Sequence, residues 1–166
     1  MLIDETPSPV RTASTQAFEL IDSIEKGVQQ ALEAHGEQPP KVAERRGSRR
    51  RPYPHPFFLT PLSRASVPDT TSTFSVIGHR LSTGGIDFYH REAIPYRHVV
   101  ASFPVHDDEW VAFVLHLSWC RFNRFGWYDN GGKFLRMVPS PLQPQSPAEE
   151  RQLGEVLETI SPLNNG

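Results

Sequence analysis

Prolines restrict the fold of this 166-residue chain more than any other feature of its sequence. There are 16 of them, together with 11 glycines, spread so that few long regular segments remain. Because proline lacks a backbone N–H and clashes with the preceding helical turn, an all-helical bundle is disfavoured. Pro52, Pro54 and Pro56 exclude a helix around them and predict an extended segment.

From Phe57 onward the chain consists of short segments rich in Val, Ile, Phe, Thr and Tyr, separated by turn residues. Such segments are typical of strands. The predicted strands are 57–62, 73–80, 86–90, 97–103, 110–120 and 133–138, with turns at 82–85, 93–95 and 129–132. Six short strands favour a small closed antiparallel β-barrel, and the largely apolar segment 110–120 is predicted to be its central strand.

Two helices are predicted at the ends of the chain. Between residues 15 and 36 apolar residues recur at spacings of three and four, which predicts an amphipathic helix that ends at Gly36. The residues of this stripe are Phe18, Ile21, Ile24, Val28 and Leu32. Ser146, Pro147 and Glu149 have the pattern of a helix start, so a second helix is expected to about residue 159. The predicted organisation is an N-terminal extension at 1–40, a β-barrel domain at 41–140, and a C-terminal helix and tail at 141–166.

Charge is unevenly distributed. The formal net charge is -2, but the segments 1–40 and 141–166 are both acidic, so the predicted barrel domain is basic. The run Lys-Val-Ala-Glu-Arg-Arg-Gly-Ser-Arg-Arg-Arg at 41–51 carries six basic residues and one acid. Like charges at this density repel one another unless an anion or an acidic surface accepts them. The run is therefore read as an anion-binding segment, with a solvated linker as the alternative.

Two arginine pairs within this run have the same spacing. Arg46 and Arg50 are four positions apart, and Arg45 and Arg49 form a second register that the sequence does not distinguish from the first. Guanidinium groups bind phosphate oxygens in bidentate geometry, and their planes stack on purine faces. These residues are therefore candidates for binding an anionic nucleotide.

A second motif, Arg-Leu-Ser-Thr-Gly-Gly at 80–85, joins two predicted strands. Ser82 offers a hydroxyl group, and Gly84 and Gly85 are expected to allow positive φ and close approach of the backbone to a ligand, with a simple tight turn as the alternative. In this order the two motifs resemble the PilZ domain family, six-stranded barrels that include many bacterial cyclic di-GMP receptors. The resemblance covers residues 44–138.

The resemblance implies a non-catalytic receptor or adaptor that binds cyclic di-GMP and needs no cofactor. The ligand-binding residues that it implies are Arg45, Arg46, Arg49, Arg50, Arg80, Ser82 and Gly85. Arg80 stands where the family pattern has Asp or Asn. Loss of that acceptor is expected to lower the affinity for guanine at least about tenfold. An arginine can, however, bind the O6 and N7 atoms of guanine instead.

Two other functions remain open. A divergent PilZ-like barrel that no longer binds nucleotide could be a protein-interaction module. Alternatively, aromatic residues interleaved with Arg121 and Arg124 could stack on the bases of single-stranded nucleic acid. These aromatic residues are Trp119, Phe122, Phe125, Trp127 and Tyr128. We expect them to pack in the barrel core, and the acidic tails disfavour binding to a polyphosphate, so nucleic acid is the weaker alternative.

Metal and enzyme sites lack support in the sequence. The histidines are scattered, and Cys120 has no second cysteine with which to form a disulfide or a zinc site, so it is expected to pack in the barrel. Neither a GxSxG nor a GxxxxGK motif is present.

The expected location of the protein is the bacterial cytoplasm. Residues 1–10 lack the basic start and apolar core of a signal peptide, and no segment has the length of apolar sequence needed to enter a membrane. We expect ligand binding to order the basic run and move the N-terminal helix, which would then contact an effector protein, still unknown, or a second copy in a homodimer.

Overall fold

The computed structural model describes residues 13–36 and 49–144, with side chains of the helix from residue 23 onward. In chain order its elements are α1 (Ala13–Glu33), β1 (Arg51–Pro52), β2 (Pro56–Pro61), a 3-10 helix (Thr70–Ser72), β3 (Phe74–Ser82), β4 (Gly85–His90), β5 (His98–Pro104), β6 (Trp110–Phe122) and β7 (Tyr128–Val138). The fold is mainly β with an N-terminal helix, as predicted. The predicted C-terminal helix lies outside the described residues.

Six antiparallel strands, β2 to β7, form a closed barrel, and β1 is a short additional strand on β3. The strand order is β1-β3-β2-β5-β6-β7-β4, and a further pairing of β3 with β4 closes the ring. All six predicted strands are present with shifted ends. The predicted central strand corresponds to β6, which has 13 residues and lies between β5 and β7.

The core of the barrel is built from side chains on alternate positions of the strands, as the two-residue period of a strand requires. On β6, for example, Val111, Phe113 and Leu115 all belong to the buried cluster. Aromatic rings fill much of this space: Phe113 stacks on Phe134 with ring centroids 4.5 Å apart, and Phe57 stacks on Phe103 at 4.7 Å. A closed barrel packed in this way gives rigid support to the side chains on its surface.

Helix α1 joins the same core through its apolar stripe. Ile24, Val28 and Leu32 are buried, as the spacing predicted, whereas the side chains of Phe18 and Ile21 lie outside the described residues. Gly27 faces the ring of Phe113, and a Cβ atom there would come within 2.7 Å of it. The glycine therefore permits the close approach of helix and sheet. Gly36, with φ of 79°, follows the last turn and ends the helix as expected.

The turn predicted at 129–132 is wrong, because these residues belong to strand β7. The chain instead reverses at 123–127, where the side-chain oxygen of Asn123 accepts hydrogen bonds from the N–H groups of Phe125 and Trp127. Gly126 supplies the positive φ, at 82°. Gly131 lies directly against the Trp119 ring, which would overlap any side chain at that position. Its role is to accept a large aromatic neighbour across the sheet.

Candidate functional site

A buried carboxylate joins two arginines, Arg50 immediately before β1 and Arg80 within β3. Asp87 lies on β4 and is 7% exposed. Its Oδ2 atom accepts a hydrogen bond from Arg50 at 2.7 Å and another from Arg80 at 3.1 Å. The guanidinium groups themselves are about half exposed, with side-chain exposures of 53% for Arg50 and 46% for Arg80. The acid is thus held inside while both cations face solvent.

Local strand pairing accounts for this arrangement. Arg80 and Asp87 are Cα partners across the β3–β4 pair. Arg50 comes immediately before β1, which pairs with β3 so that Pro52 lies opposite Arg80. Three successive strands of the sheet therefore bring two cations and one anion to the same place. Opposite charges on neighbouring strands stabilise such a pairing, although solvent screening reduces the gain for half-exposed groups.

These residues border a cavity of about 360 Å³, which we call the Asp87 cleft. The residues that line it are Arg50, Arg80, Ser82, Gly84, Gly85, Ile86, Asp87, Ser118, Trp119, Gly132 and Lys133. Its size is at the lower end of the range for small-molecule sites. Three cationic side chains and one carboxylate line it, so the cleft suits an anionic ligand that also carries hydrogen-bond donors.

The Ser-Gly turn at the edge of this cleft is held by its own hydrogen bonds. The Ser82 hydroxyl accepts from the N–H of Gly84 at 3.2 Å and donates to the carbonyl of Gly85 at 3.4 Å. The expectation of positive φ at Gly84 and Gly85 is wrong, since neither is among the positive-φ residues of the described chain. Gly85 instead lies so close to the Gly132 carbonyl that a Cβ atom would overlap it. This glycine allows β4 and β7 to approach each other.

The predicted site residues thus fall into three groups. Arg50, Arg80, Ser82 and Gly85 line the Asp87 cleft. Arg45 and Arg46 lie outside the described residues. Arg49 is described and exposed, but it is not among the residues that line the cleft.

Sequence reasoning missed Asp87 and Trp119. Asp87 stands between Ile86 and Phe88 in an otherwise apolar strand, and an acid in such a segment was a usable signal of a buried, paired carboxylate. Trp119 was assigned to the core, yet it is 41% exposed and lines the cleft. No sequence pattern distinguishes that position, because the exposure of Trp119 depends on which strands lie beside it in the folded sheet.

Trp119, Phe122 and Phe125, at or near the β6–β7 turn, are exposed, contrary to the expectation of core packing, whereas Trp127 and Tyr128 are half-buried. Phe122 and Phe125 are 63% and 74% exposed, and Cys120 beside them is exposed as well. We refer to Trp119, Phe122, Phe125, Trp127 and Tyr128 as the aromatic hairpin. Arginines lie over three of its rings, at 4.9 Å for Arg91 on Trp127, 5.0 Å for Arg124 on Phe125 and 5.9 Å for Arg121 on Trp119. The hairpin therefore presents aromatic faces already paired with cations.

The segment 50–53 leads from the Asp87 cleft to a group of side chains at the end of helix α1. Tyr53 follows β1 and is buried, and its hydroxyl lies 3.2 Å from Nε2 of His35, just beyond the end of α1. His35 also stacks on His55, with centroids 3.6 Å apart. Burial raises the pKa of Tyr53, and burial together with the neighbouring His55 and His106 lowers the pKa of His35. Both side chains therefore favour their neutral forms at this junction.

Two other features are absent from the described ranges, 13–36 and 49–144. No group of three or more potential metal ligands is found there. Nor does that part of the chain contain a helix with the length and apolar character needed to cross a membrane.

Comparison with known proteins gives similarities of structure only. No protein-family model and no curated protein matches the sequence. One similar solved structure is the PilZ domain with c-di-GMP of YcgR from Escherichia coli, with 18% identity, a TM-score of 0.35, and coverage of 70% of this chain and 92% of that one. Another is K. pneumonia MrkH in its apo state, with 9% identity, a TM-score of 0.37, and coverage of 75% and 52%. A solved PilZ domain is thus among the structures that this chain resembles.

Proposed function

We propose that this chain is a non-catalytic receptor that binds cyclic di-GMP in the Asp87 cleft. The observation that carries the proposal is the Asp87 carboxylate, held between Arg50 and Arg80 at the cleft that Ser82 and Gly85 also line. A buried acid flanked by two half-exposed cations provides both hydrogen-bond acceptors and donors in one small volume. A guanine nucleotide requires both, because its base carries N–H donors and its phosphates carry only acceptors.

We propose that Asp87 supplies the hydrogen-bond acceptor that the PilZ-like pattern has at position 80. The PilZ-like pattern has a carboxylate or amide where this chain has Arg80. Asp87 is the direct cross-strand partner of Arg80, so a carboxylate lies beside that position although the chain does not encode it there. We propose that Asp87 accepts hydrogen bonds from the guanine edge and that Arg50 and Lys133 contact phosphate oxygens.

Trp119 supplies a stacking surface in the same cleft. Its ring lines the cavity, and Arg121 lies over it with the guanidinium carbon 5.9 Å from the ring centroid. Purine bases stack on tryptophan and on arginine planes. We propose that one guanine of the ligand stacks on Trp119 while its edge faces Asp87.

The output of binding is proposed to be a change at helix α1. Only Arg51 and Pro52 separate Arg50 in the cleft from Tyr53, which contacts His35 beyond the helix end. A ligand that pulls Arg50 toward its phosphates would displace β1 and with it the contact between Tyr53 and His35. An effector protein or a second copy of the chain would then recognise the altered position of α1.

Calorimetric titration with cyclic di-GMP tests the proposal. The full chain is expected to bind saturably, and Arg50→Ala is expected to weaken binding about tenfold or more through loss of charge-assisted hydrogen bonds. Arg124→Ala, which removes the same charge from a position outside the cleft, is the matched control and should leave the affinity unchanged. Tyr53→Phe should leave binding intact but reduce any ligand-induced change at α1, read by hydrogen exchange of the helix.

Absence of saturable cyclic di-GMP binding to the full chain would contradict the receptor proposal. If the chain bound no oligonucleotide either, a protein-interaction module would remain as the function. Equal losses of affinity in Arg50→Ala and Arg124→Ala would show that binding follows net charge rather than the cleft.

The exposed aromatic hairpin favours a second candidate function, binding of single-stranded nucleic acid. Phe122 and Phe125 were expected to pack in the core, but both are exposed. Bases of any sequence stack on exposed aromatic rings. Titration with a short oligonucleotide, beside the variants Phe125→Ala and Arg50→Ala, separates the two functions. Loss of oligonucleotide binding in Phe125→Ala alone supports this candidate, and no binding by the full chain excludes it.

A further inference from the structure

A second basic cleft lies on the barrel, lined by none of the residues of the Asp87 cleft. It has a volume of about 980 Å³. Three segments distant in sequence contribute one arginine each: Arg64 from the loop after β2, Arg97 before β5, and Arg136 from β7. We call this surface the arginine cleft. The tertiary fold alone brings these three cations together.

Among the described residues, no acidic side chain balances the three arginines. None lines the cleft, and in the part of the chain that the structure describes no ion pair joins Arg64, Arg97 or Arg136 to an acid. Each of the three is exposed. Like charges gathered in a concave surface raise the local positive potential and attract anions from solution.

The rest of the cleft defines what else a ligand must carry. His98 lies in the cleft and contacts His116, with 3.1 Å between the ring nitrogens. Leu135 and Tyr96 are 44% and 37% exposed and border the same space. Val114 lines it too and is buried. An apolar surface beside clustered guanidinium groups matches a ligand with a ring or aliphatic body and more than one anionic group.

We propose that the arginine cleft binds an organic phosphate, a small molecule with at least two phosphate groups on an apolar or aromatic body. Guanidinium groups match phosphate in geometry and charge, and three of them exceed what a single phosphate needs. The volume accommodates a ligand of nucleotide size. The proposal does not depend on the binding of cyclic di-GMP in the Asp87 cleft.

Titration of the full chain with ADP and with inorganic pyrophosphate, each followed by calorimetry, tests it. ADP is expected to bind saturably and more tightly than pyrophosphate, since only ADP reaches the apolar surface. Arg97→Ala and Arg136→Ala are each expected to weaken ADP binding about tenfold or more. Arg97→Lys keeps the charge but loses the bidentate fork, so it should recover only part of the affinity.

Lys26→Ala removes one exposed positive charge from helix α1, outside both clefts and the aromatic hairpin, and should bind ADP like the parent chain. Circular dichroism confirms that each variant is folded. Vesicles containing phosphatidylglycerol distinguish a lipid headgroup from a soluble phosphate as the source of the anion.

Three outcomes would overturn the proposal: no saturable binding of either phosphate probe, ADP binding that Arg97→Ala and Arg136→Ala leave intact, or binding to vesicles alone. If cyclic di-GMP binds and ADP does not, the arginine cleft is ruled out as a phosphate site and the Asp87 cleft is unaffected. If ADP binds and cyclic di-GMP does not, the receptor proposal fails and the arginine cleft stands.

Discussion

The Asp87 cleft and the arginine cleft are both basic, but they differ in how their charge is balanced. In the first, Arg50 and Arg80 share one carboxylate oxygen of a buried acid. In the second, Arg64, Arg97 and Arg136 have no acidic partner in the described residues. A buried counter-charge fixes the position of the cations around it, at the cost of part of their attraction for an anion.

Arginines therefore have two different roles on this one barrel. Those held by Asp87 are pre-positioned, which favours selection of a ligand by shape and by hydrogen bonding. In the arginine cleft no described acid offsets the charge of the arginines or fixes the position of their side chains, which favours attraction of anions by charge. Selectivity is therefore expected from the first cleft and strong salt dependence from the second.

Removal of Asp87 is the strongest test of this contrast. Asp87→Ala is expected to lower the free energy of unfolding by about 2 kcal/mol, because two guanidinium groups lose a shared acceptor. This loss is smaller than that expected for a fully buried ion pair, since both arginines are half exposed. Arg97→Ala in the other cleft should change it by less than about 0.5 kcal/mol. Urea unfolding measures both, with Glu109→Ala on an exposed loop as the control for loss of an acid. Equal stabilities of the Asp87 and Glu109 variants would show that the carboxylate does not organise its cleft.

Truncation of Trp119 separates stacking from charge. Trp119→Ala is expected to weaken cyclic di-GMP binding by about tenfold, in line with a base–aromatic stacking contribution of roughly 1–3 kcal/mol. The affinity of the arginine cleft for ADP should not change, since Trp119 does not line it. Phe125→Ala, which removes an exposed ring outside the Asp87 cleft, is the control. If both aromatic variants weakened cyclic di-GMP binding equally, the hairpin rather than the cleft would be the site.

The two clefts are also expected to differ in how strongly salt weakens ligand binding, although this effect is smaller. An increase in NaCl from about 50 mM to about 500 mM is expected to weaken ADP binding several-fold more than cyclic di-GMP binding, because exposed, unpaired charges are screened most. Titrations at three salt concentrations give the two slopes. Equal slopes would mean that the counter-charge of Asp87 has no effect on ligand attraction.

Acid pH is expected to have the smallest effect, outside both clefts. Because the folded chain lowers the pKa of His35 from its usual 6.5, the unfolded chain binds that proton first as the pH falls. The free energy of unfolding should therefore decrease as the pH falls below about 6.5, and level off below the folded-state pKa. Urea unfolding between pH 7.5 and pH 5 measures this, and His35→Gln should reduce the slope. A parent and variant with identical pH profiles would contradict the assignment to His35.

Much of the fold could be predicted from local patterns. Prolines at 52, 54 and 56, the period-two strands and the apolar stripe of α1 each report a constraint that acts over a few residues, and the structure bears out the strands and the buried part of the stripe. The prediction of a turn at 129–132 was wrong, because glycine is common both in turns and at close contacts between strands. Gly131 serves the second purpose, against the ring of Trp119.

The candidate site could be predicted only in part, for a similar reason. Arg50, Ser82 and Gly85 could be named as candidates because they stand in motifs that are read along the chain. Asp87 belongs to no such motif, and its importance arises from its cross-strand pairing with Arg80. Strand pairing brings together residues whose distance in sequence carries no information about their distance in space.

Local patterns in the sequence were enough to predict the class of fold, because hydrophobic period and backbone restrictions act over a few residues. Which arginines share a buried acid, and which face solvent with no acidic partner among the described residues, follows from the folded structure. Arg64, Arg97 and Arg136 come from separate segments, and closure of the barrel brings them to one surface. Charge balance in a folded protein depends on distances through space, and these exist only once the sheet has closed.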